Sequence, residues 1–76
     1  MSTLSLHVAV ECPICEAPGS VYVTMERLRG RWSVYDNEEP QMGCVCLDNA
    51  SRDKYGRLRD QLVDRAIADA EQGVAA

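Results

Sequence analysis

The chain has 76 residues, of which 46% are hydrophobic and only 5% aromatic, and it contains no Phe. A chain of this length buries about 60% of the surface that its unfolded form exposes, so a hydrophobic core alone stabilises it only marginally. Eight Lys and Arg residues against twelve Asp and Glu residues give a formal net charge of -4. These figures exclude a multi-domain enzyme, a membrane-spanning protein and a globally basic nucleic-acid binder.

The first predicted element is a strand over residues 4–11. Leu4, Leu6, Val8 and Val10 alternate with a second set of mostly polar residues, a pattern typical of a half-buried strand. The N-terminal segment has no basic stretch, and Ser5, His7 and Glu11 interrupt its apolar residues, so we expect no signal peptide. A cytoplasmic protein is therefore expected, in a compartment where disulfides do not persist.

Four cysteines form two close pairs, Cys12 with Cys15 and Cys44 with Cys46. The first pair reads Cys-Pro-Ile-Cys, and its proline presets φ for a tight turn. Two such pairs supply the four tetrahedral ligands of a structural Zn2+ and leave no open position. The sequence therefore predicts one Zn2+ per chain, whose binding stabilises the fold. Two alternatives remain open: four unrelated thiols, and a redox pair or soft-metal transfer site.

A cysteine knuckle, a β-hairpin and a second cysteine pair follow one another between residues 12 and 46, and this arrangement resembles a zinc ribbon. The ligand spacing is also similar to that of rubredoxin. Rubredoxin usually has glycine after each cysteine pair and an aromatic core, whereas this chain has Glu16 and Leu47 and few aromatic residues. These departures from the rubredoxin pattern favour zinc over electron-transfer iron. It implies a scaffold and no particular function, because zinc ribbons serve many.

Two further strands are predicted over residues 21–28 and 31–36, joined by the turn Arg29-Gly30. Gly30 takes the positive φ that a tight hairpin turn needs. A two-residue turn places Met25 opposite Val34 on the apolar face. A longer turn shifts this register by moving every pair along the strand.

The C-terminal third of the chain is predicted to be one helix, over residues 51–72, followed by a frayed tail over 73–76. An acidic, proline-containing loop at residues 36–41 returns the chain to Cys44 before the helix and is interpreted as a solvated connection. Ser51 or Asp48 is the predicted N-cap, and Gly73 ends the helix. The apolar residues at helical spacing are Tyr55, Leu58, Leu62, Val63, Ala66, Ile67 and Ala70.

These elements predict a single α+β domain over residues 1–76. Residues 4–47 supply a small three-stranded antiparallel sheet with a four-cysteine zinc knuckle. The helix is expected to lay its apolar stripe on this sheet, because neither element buries its apolar face alone.

The basic residues are concentrated in two places, which makes them candidate binding residues. The candidates are Arg27, Arg29, Arg31 and Trp32 at the hairpin tip, and Arg52, Lys54, Arg57 and Arg59 in the first half of the helix. Bases in the first half of a helix oppose its dipole. They either neutralise the anionic zinc–thiolate centre or grip phosphate or acidic groups. Metallation lowers the net charge from -4 to about -6, which disfavours nucleic acid.

No catalytic grouping of residues is apparent, so the chain is not expected to be an enzyme. The leading prediction is a zinc-stabilised binding module, a small regulatory adaptor that docks on a protein of nucleic-acid machinery, as zinc ribbons often do. The alternative is direct nucleic-acid binding through the Arg-rich hairpin tip and the first half of the helix. A homodimer through Val63 and Ile67 of the helix is a third hypothesis. No membrane contact is expected.

Overall fold

The fold is α+β, as the sequence predicts: an antiparallel sheet is followed by one C-terminal helix. A computed structural model describes residues 2–75, with side chains described for residues 2–73. The elements are β1 (Ser2–Glu11), β2 (Pro18–Leu28), β3 (Arg31–Asn37), β4 (Gln41–Met42) and α1 (Arg52–Ala75).

Strand β2 lies at the centre of the sheet. It pairs with β1 from Ser2 opposite Arg27 to Glu11 opposite Pro18. Its other side pairs with β3 near the hairpin and with β4 near Gly19. The short strand β4 is an addition to the three predicted strands, and it ends next to the second cysteine pair.

The β2–β3 hairpin has the predicted two-residue turn. Arg29 and Gly30 both have positive φ, 55° and 80°, which is the backbone pattern of a type I′ turn. Met25 accordingly lies opposite Val34, and this part of the predicted register is confirmed. The pairing then shifts by one residue at a bulge, where Tyr35 is the additional residue between the pairs on either side.

The core lies between one face of the sheet and α1. Its centre is the alternating set Val21, Val23 and Met25 of β2, all of which are 0% exposed. The helix covers them with residues spaced four apart, of which Leu62 and Ala66 are buried. Most of these side chains are small, so the apolar core of the described residues is thin.

Helix α1 begins at Arg52, one residue after the predicted start, and extends beyond the predicted end. The Lys54 backbone N–H donates to Ser51 Oγ at 3.4 Å, so Ser51 is the N-cap. The helix continues to Ala75, and the prediction that Gly73 ends it is wrong. Glycine ends a helix by adopting positive φ, and Gly73 does not do so. The last residue of the predicted tail, residue 76, lies outside the described residues. Among residues 2–75, no helix has the length and apolar character that crossing a membrane requires.

Candidate metal centre

The four cysteines meet at one end of the sheet. The Sγ atoms of Cys12, Cys15, Cys44 and Cys46 all lie within 4.8 Å of one another. Four sulfurs bound to one Zn2+ at about 2.3 Å are about 3.8 Å apart, so a small contraction of this cluster completes the site. Four thiols also match the ligand preference of zinc and of iron. The donor set and its spacing therefore fit a tetrahedral metal site.

The first cysteine pair is held in a tight turn between β1 and β2. The backbone N–H of Ile14 points at Cys12 Sγ, with an N···S distance of 3.5 Å. The Glu16 N–H donates to the Cys12 carbonyl, and the Cys12 N–H donates to the Ala17 carbonyl, both at 2.9 Å. Glu16 has a φ of 63°, the left-handed conformation that glycine adopts at least cost. The backbone thus takes a turn typical of glycine without having glycine there.

The second cysteine pair is held by the pairing of β4 with β2. The Gly43 N–H donates to the Pro18 carbonyl at 2.8 Å, just before Cys44. After Cys44, the Asn49 N–H donates to the Val45 carbonyl at 2.9 Å, and the turn that follows leads into α1. The first pair is therefore bonded to Ala17, just before β2, and the second pair is held through Pro18, the first residue of β2. These neighbouring attachments bring the two pairs together although they lie far apart in sequence.

The thiols of Cys12 and Cys46 differ in how easily they ionise. Hydrogen bonds from the backbone N–H groups of Cys15 and Ile14 lower the pKa of Cys12 to about 7. The pKa of Cys46 is raised to about 12 by its hydrogen bond with the Cys15 sulfur, with desolvation and the other two sulfurs adding to the effect. Without a cation the cluster thus stabilises a thiolate at Cys12. A bound cation would favour the thiolate at every position, so metal binding releases protons.

The predicted binding residues of the hairpin tip fall into two groups: three exposed arginines and one half-buried tryptophan. Arg27, Arg29 and Arg31 are exposed, and within the described part of the chain they form no ion pair. Trp32 is half-buried and packs against the core, so much of its ring is already covered. The tip lies at the end of β2 that is remote from the cysteines.

The predicted binding residues of the helix also fall into two groups, according to whether they form an ion pair. Arg52, Lys54 and Arg57 are exposed and have no ion-pair partner among residues 2–73. Arg59 instead binds Glu39 at 3.2 Å. Over the same residues no hydrogen bond joins Arg52 or Lys54 to a cysteine, so charge neutralisation of the cluster by direct contact is not observed.

Glu39 ties the loop before β4 to the helix. Its carboxylate accepts a hydrogen bond from Tyr55 Oη at 2.5 Å and pairs with Arg59 Nη1 at 3.2 Å. The adjacent Pro40 is buried. The acidic loop is thus more than the solvated connection that its composition indicates, because it fixes the chain that leads to β4 and the second cysteine pair.

This contact predicts an elevated pKa for one tyrosine. The hydrogen bond to Glu39 raises the pKa of Tyr55 above its usual value of 10, because an ionised phenol cannot donate. The stability from this contact is therefore present below pH 10 and is lost as pH rises through the folded-state pKa. Ultraviolet titration of the wild-type protein, with a Tyr55→Phe difference spectrum, measures the midpoint. Glu39→Gln should lower it towards 10, and an unchanged midpoint in that variant contradicts the assignment.

Two exposed apolar residues at the metal end were missed by the sequence analysis. Ile14 lies inside the first cysteine pair and is 50% exposed, and Val45 lies inside the second and is 62% exposed. The proximity of the four sulfurs brings the two tips to the same end of the molecule. The sequence did contain a signal for this exposed apolar surface. Each cysteine pair encloses a large apolar residue, and the tip of such a turn faces solvent.

The candidate centre was also compared with known proteins. The chain matches no family model, no curated protein and no solved structure. The functional argument is therefore carried by the cysteine cluster and by the surfaces around it.

Proposed function

We propose that the chain is a non-enzymatic, zinc-stabilised binding module, a cytoplasmic regulatory adaptor that docks on a protein of nucleic-acid machinery. The observation that carries the proposal is the cluster of four Sγ atoms within 4.8 Å of one another. Four thiolates fill the tetrahedral shell of one Zn2+ and leave no position for water or substrate. Such a site stabilises structure and supports binding rather than catalysis.

The knuckle surface, formed by Ile14 and Val45 at the tips of the two cysteine pairs, is the proposed docking site. These side chains are 50% and 62% exposed, although apolar contact would stabilise them. A zinc site beneath them would hold both tips rigidly, which reduces the entropy lost when a partner binds. The net charge of -4 before metallation favours a partner with a basic rim around an apolar centre.

The experiment compares capture by immobilised, zinc-loaded variants. The double variant Ile14→Ser/Val45→Ser should lose a partner that the wild-type protein retains after nuclease digestion of the lysate. Leu28→Ser is the matched control, because Leu28 is also 50% exposed but lies at the hairpin tip. Equal capture by all three proteins, or loss of capture on nuclease digestion, contradicts docking through the knuckle surface.

The second candidate is direct nucleic-acid binding through the hairpin tip and the basic half of the helix. The exposed guanidinium groups of Arg27, Arg29 and Arg31, which form no ion pair among residues 2–73, favour it. Three phosphate contacts give a salt slope of about -2.7, hence a loss of roughly fortyfold in affinity between about 50 and 200 mM salt. In the same capture experiment this candidate predicts nuclease sensitivity and loss of binding in Arg29→Glu. The adaptor proposal predicts neither.

A further inference from the structure

Strand β1 is an edge strand with one side left without a partner. It pairs with β2 over its entire length, from Ser2 to Glu11. Of the residues that the structure describes, none forms a strand on its other side. A strand edge of this kind presents a row of backbone N–H and C=O groups that can pair with another strand.

The hydrogen bonds of β2 show which β1 groups face outwards. The Tyr22 carbonyl accepts from the Glu38 N–H, and the Pro18 carbonyl accepts from the Gly43 N–H, so both β2 residues face away from β1. His7 lies opposite Tyr22 and Glu11 opposite Pro18. In an antiparallel ladder the residues opposite such positions also turn their backbone groups away from the partner. The outward-facing set is therefore Thr3, Ser5, His7, Ala9 and Glu11.

This edge lacks the features that usually prevent strand pairing. Between residues 2 and 10 there is no proline, no Lys, Arg, Asp or Glu, and no shift of register against β2. The opposite edge of the sheet, β3, has a charged residue at Arg31, another at Asp36 and a bulge between them. In the described part of the sheet the two edges therefore differ, and β1 is the edge without these protective features.

We propose that β1 pairs antiparallel with β1 of a second copy of this chain, across a two-fold axis centred on Leu6. In that register Ser5 lies opposite His7 of the second copy and Thr3 opposite its Ala9, so the outward-facing groups pair with one another. The axis also keeps the apolar residues on one face. Leu4, which is 40% exposed in the single chain, lies opposite Val8 of the second copy.

The charge pattern favours a second copy over a charged strand of another protein. The segment paired in this register, residues 2–10, contains no Asp, Glu, Lys or Arg. Glu11 lies just beyond it, so no two carboxylates face each other across the axis. A two-fold interface requires this self-complementarity, because both copies contribute the same strand and each residue faces a residue of that same segment. The inference is independent of the proposed function.

Sedimentation equilibrium of the metal-loaded protein, from about 1 µM to about 1 mM, tests the pairing. The wild-type protein should show a concentration-dependent dimer. Ser5→Pro removes one outward N–H from each strand and leaves the β1–β2 ladder complete, so it should raise the dissociation constant roughly tenfold or more. Ile67→Glu is the control, because Ile67 lies on α1 and is the residue through which a helix-mediated dimer would form.

Two results overturn the proposal: a wild-type protein that stays monomeric throughout, or a dimer that Ile67→Glu abolishes and Ser5→Pro retains. If Ser5→Pro fails to fold, amide hydrogen exchange of the wild-type protein decides the question. The N–H groups of Thr3, Ser5, His7 and Ala9 should become protected as concentration rises. Exchange at these amides that does not depend on concentration overturns the proposal in the same way.

Discussion

Removal of zinc from the protein is expected to unfold it, and return of zinc is expected to refold it. The reason is the thinness of the core: its only fully buried large side chains in the described residues are Val21, Val23 and Met25. Structural zinc sites contribute about 10–16 kcal/mol, whereas small domains have a net stability of about 5–15 kcal/mol. The metal term is thus as large as the whole stability that such a domain retains.

Circular dichroism and native mass spectrometry on the same samples measure this effect. One zinc mass per chain should disappear with chelator together with the sheet and helix signals, and both should return when zinc is added. Cys12→Ser should behave as the chelated protein does, because Cys12 is buried at 4% exposure and its sulfur accepts the Ile14 N–H. Leu28→Ser should remain zinc-dependent like the wild type. A chain that stays folded without metal contradicts the prediction and returns redox chemistry of the thiols to consideration.

The parts of the fold that were predicted correctly depend on local signals. Alternation of apolar residues placed β1 and β2, and the Arg29-Gly30 turn fixed Met25 opposite Val34 because a two-residue turn permits only one register. The bulge beside Thr24 and the strand β4 were not predicted. Both depend on contacts between distant segments, and neither leaves a pattern within its own few residues.

The candidate site likewise has features that local sequence predicts and features that depend on contacts between distant residues. The spacing of the cysteines predicted a cluster, and the structure brings the four sulfurs together. The contact of Glu39 with Tyr55 and Arg59 joins residues far apart in the chain, so composition described that loop only as acidic. The same contact gives Arg59 a partner within the protein. A count of basic residues could not show that Arg59 differs from Arg57 in this respect.

The Gly73 error has a physical cause as well. Glycine weakens a helix by about 1 kcal/mol, but it ends one only where the backbone turns to positive φ. Gly73 remains helical, as Gly56 does near the other end of α1. Composition alone does not reveal which glycines adopt positive φ, and of the five in this chain Gly30 is the one that does.

Gly19→Ala is expected to destabilise the protein and to weaken zinc binding at the same time. Gly19 lies opposite Met42 in the β2–β4 pair, and a Cβ added there would lie 2.7 Å from the Gln41 carbonyl oxygen and closer still to the Met42 side chain. The Gln41 carbonyl oxygen belongs to the main chain and cannot move aside as a side chain could, so β4 must shift. Overpacking of this kind costs about 1–3 kcal/mol.

Zinc affinity should fall because β4 leads directly into Cys44. Displacement of β4 also strains the hydrogen bond from the Gly43 N–H to the Pro18 carbonyl, whose N···O distance is 2.8 Å. This bond holds the chain just before Cys44 against the start of β2. If about 1.4 kcal/mol of the strain is relieved on metal release, the affinity drops about tenfold. Urea unfolding measures the stability, and competition with a chromophoric chelator measures the affinity.

Gly56→Ala is the matched control, with the same added methyl group and the opposite expected sign. Gly56 is in α1, and apart from its chain neighbours and the adjoining backbone of the helix, no atom of the described residues lies within 4 Å of a Cβ placed there. Alanine there should therefore stabilise the helix by about 0.5–1 kcal/mol and leave the geometry of the cysteines unchanged. Equal effects of the two substitutions, or an unchanged zinc affinity in Gly19→Ala, would contradict a role for the β2–β4 pair in positioning Cys44 and Cys46. Opposite signs would show that the sheet places the second cysteine pair, and that the metal and the strand pairing stabilise each other.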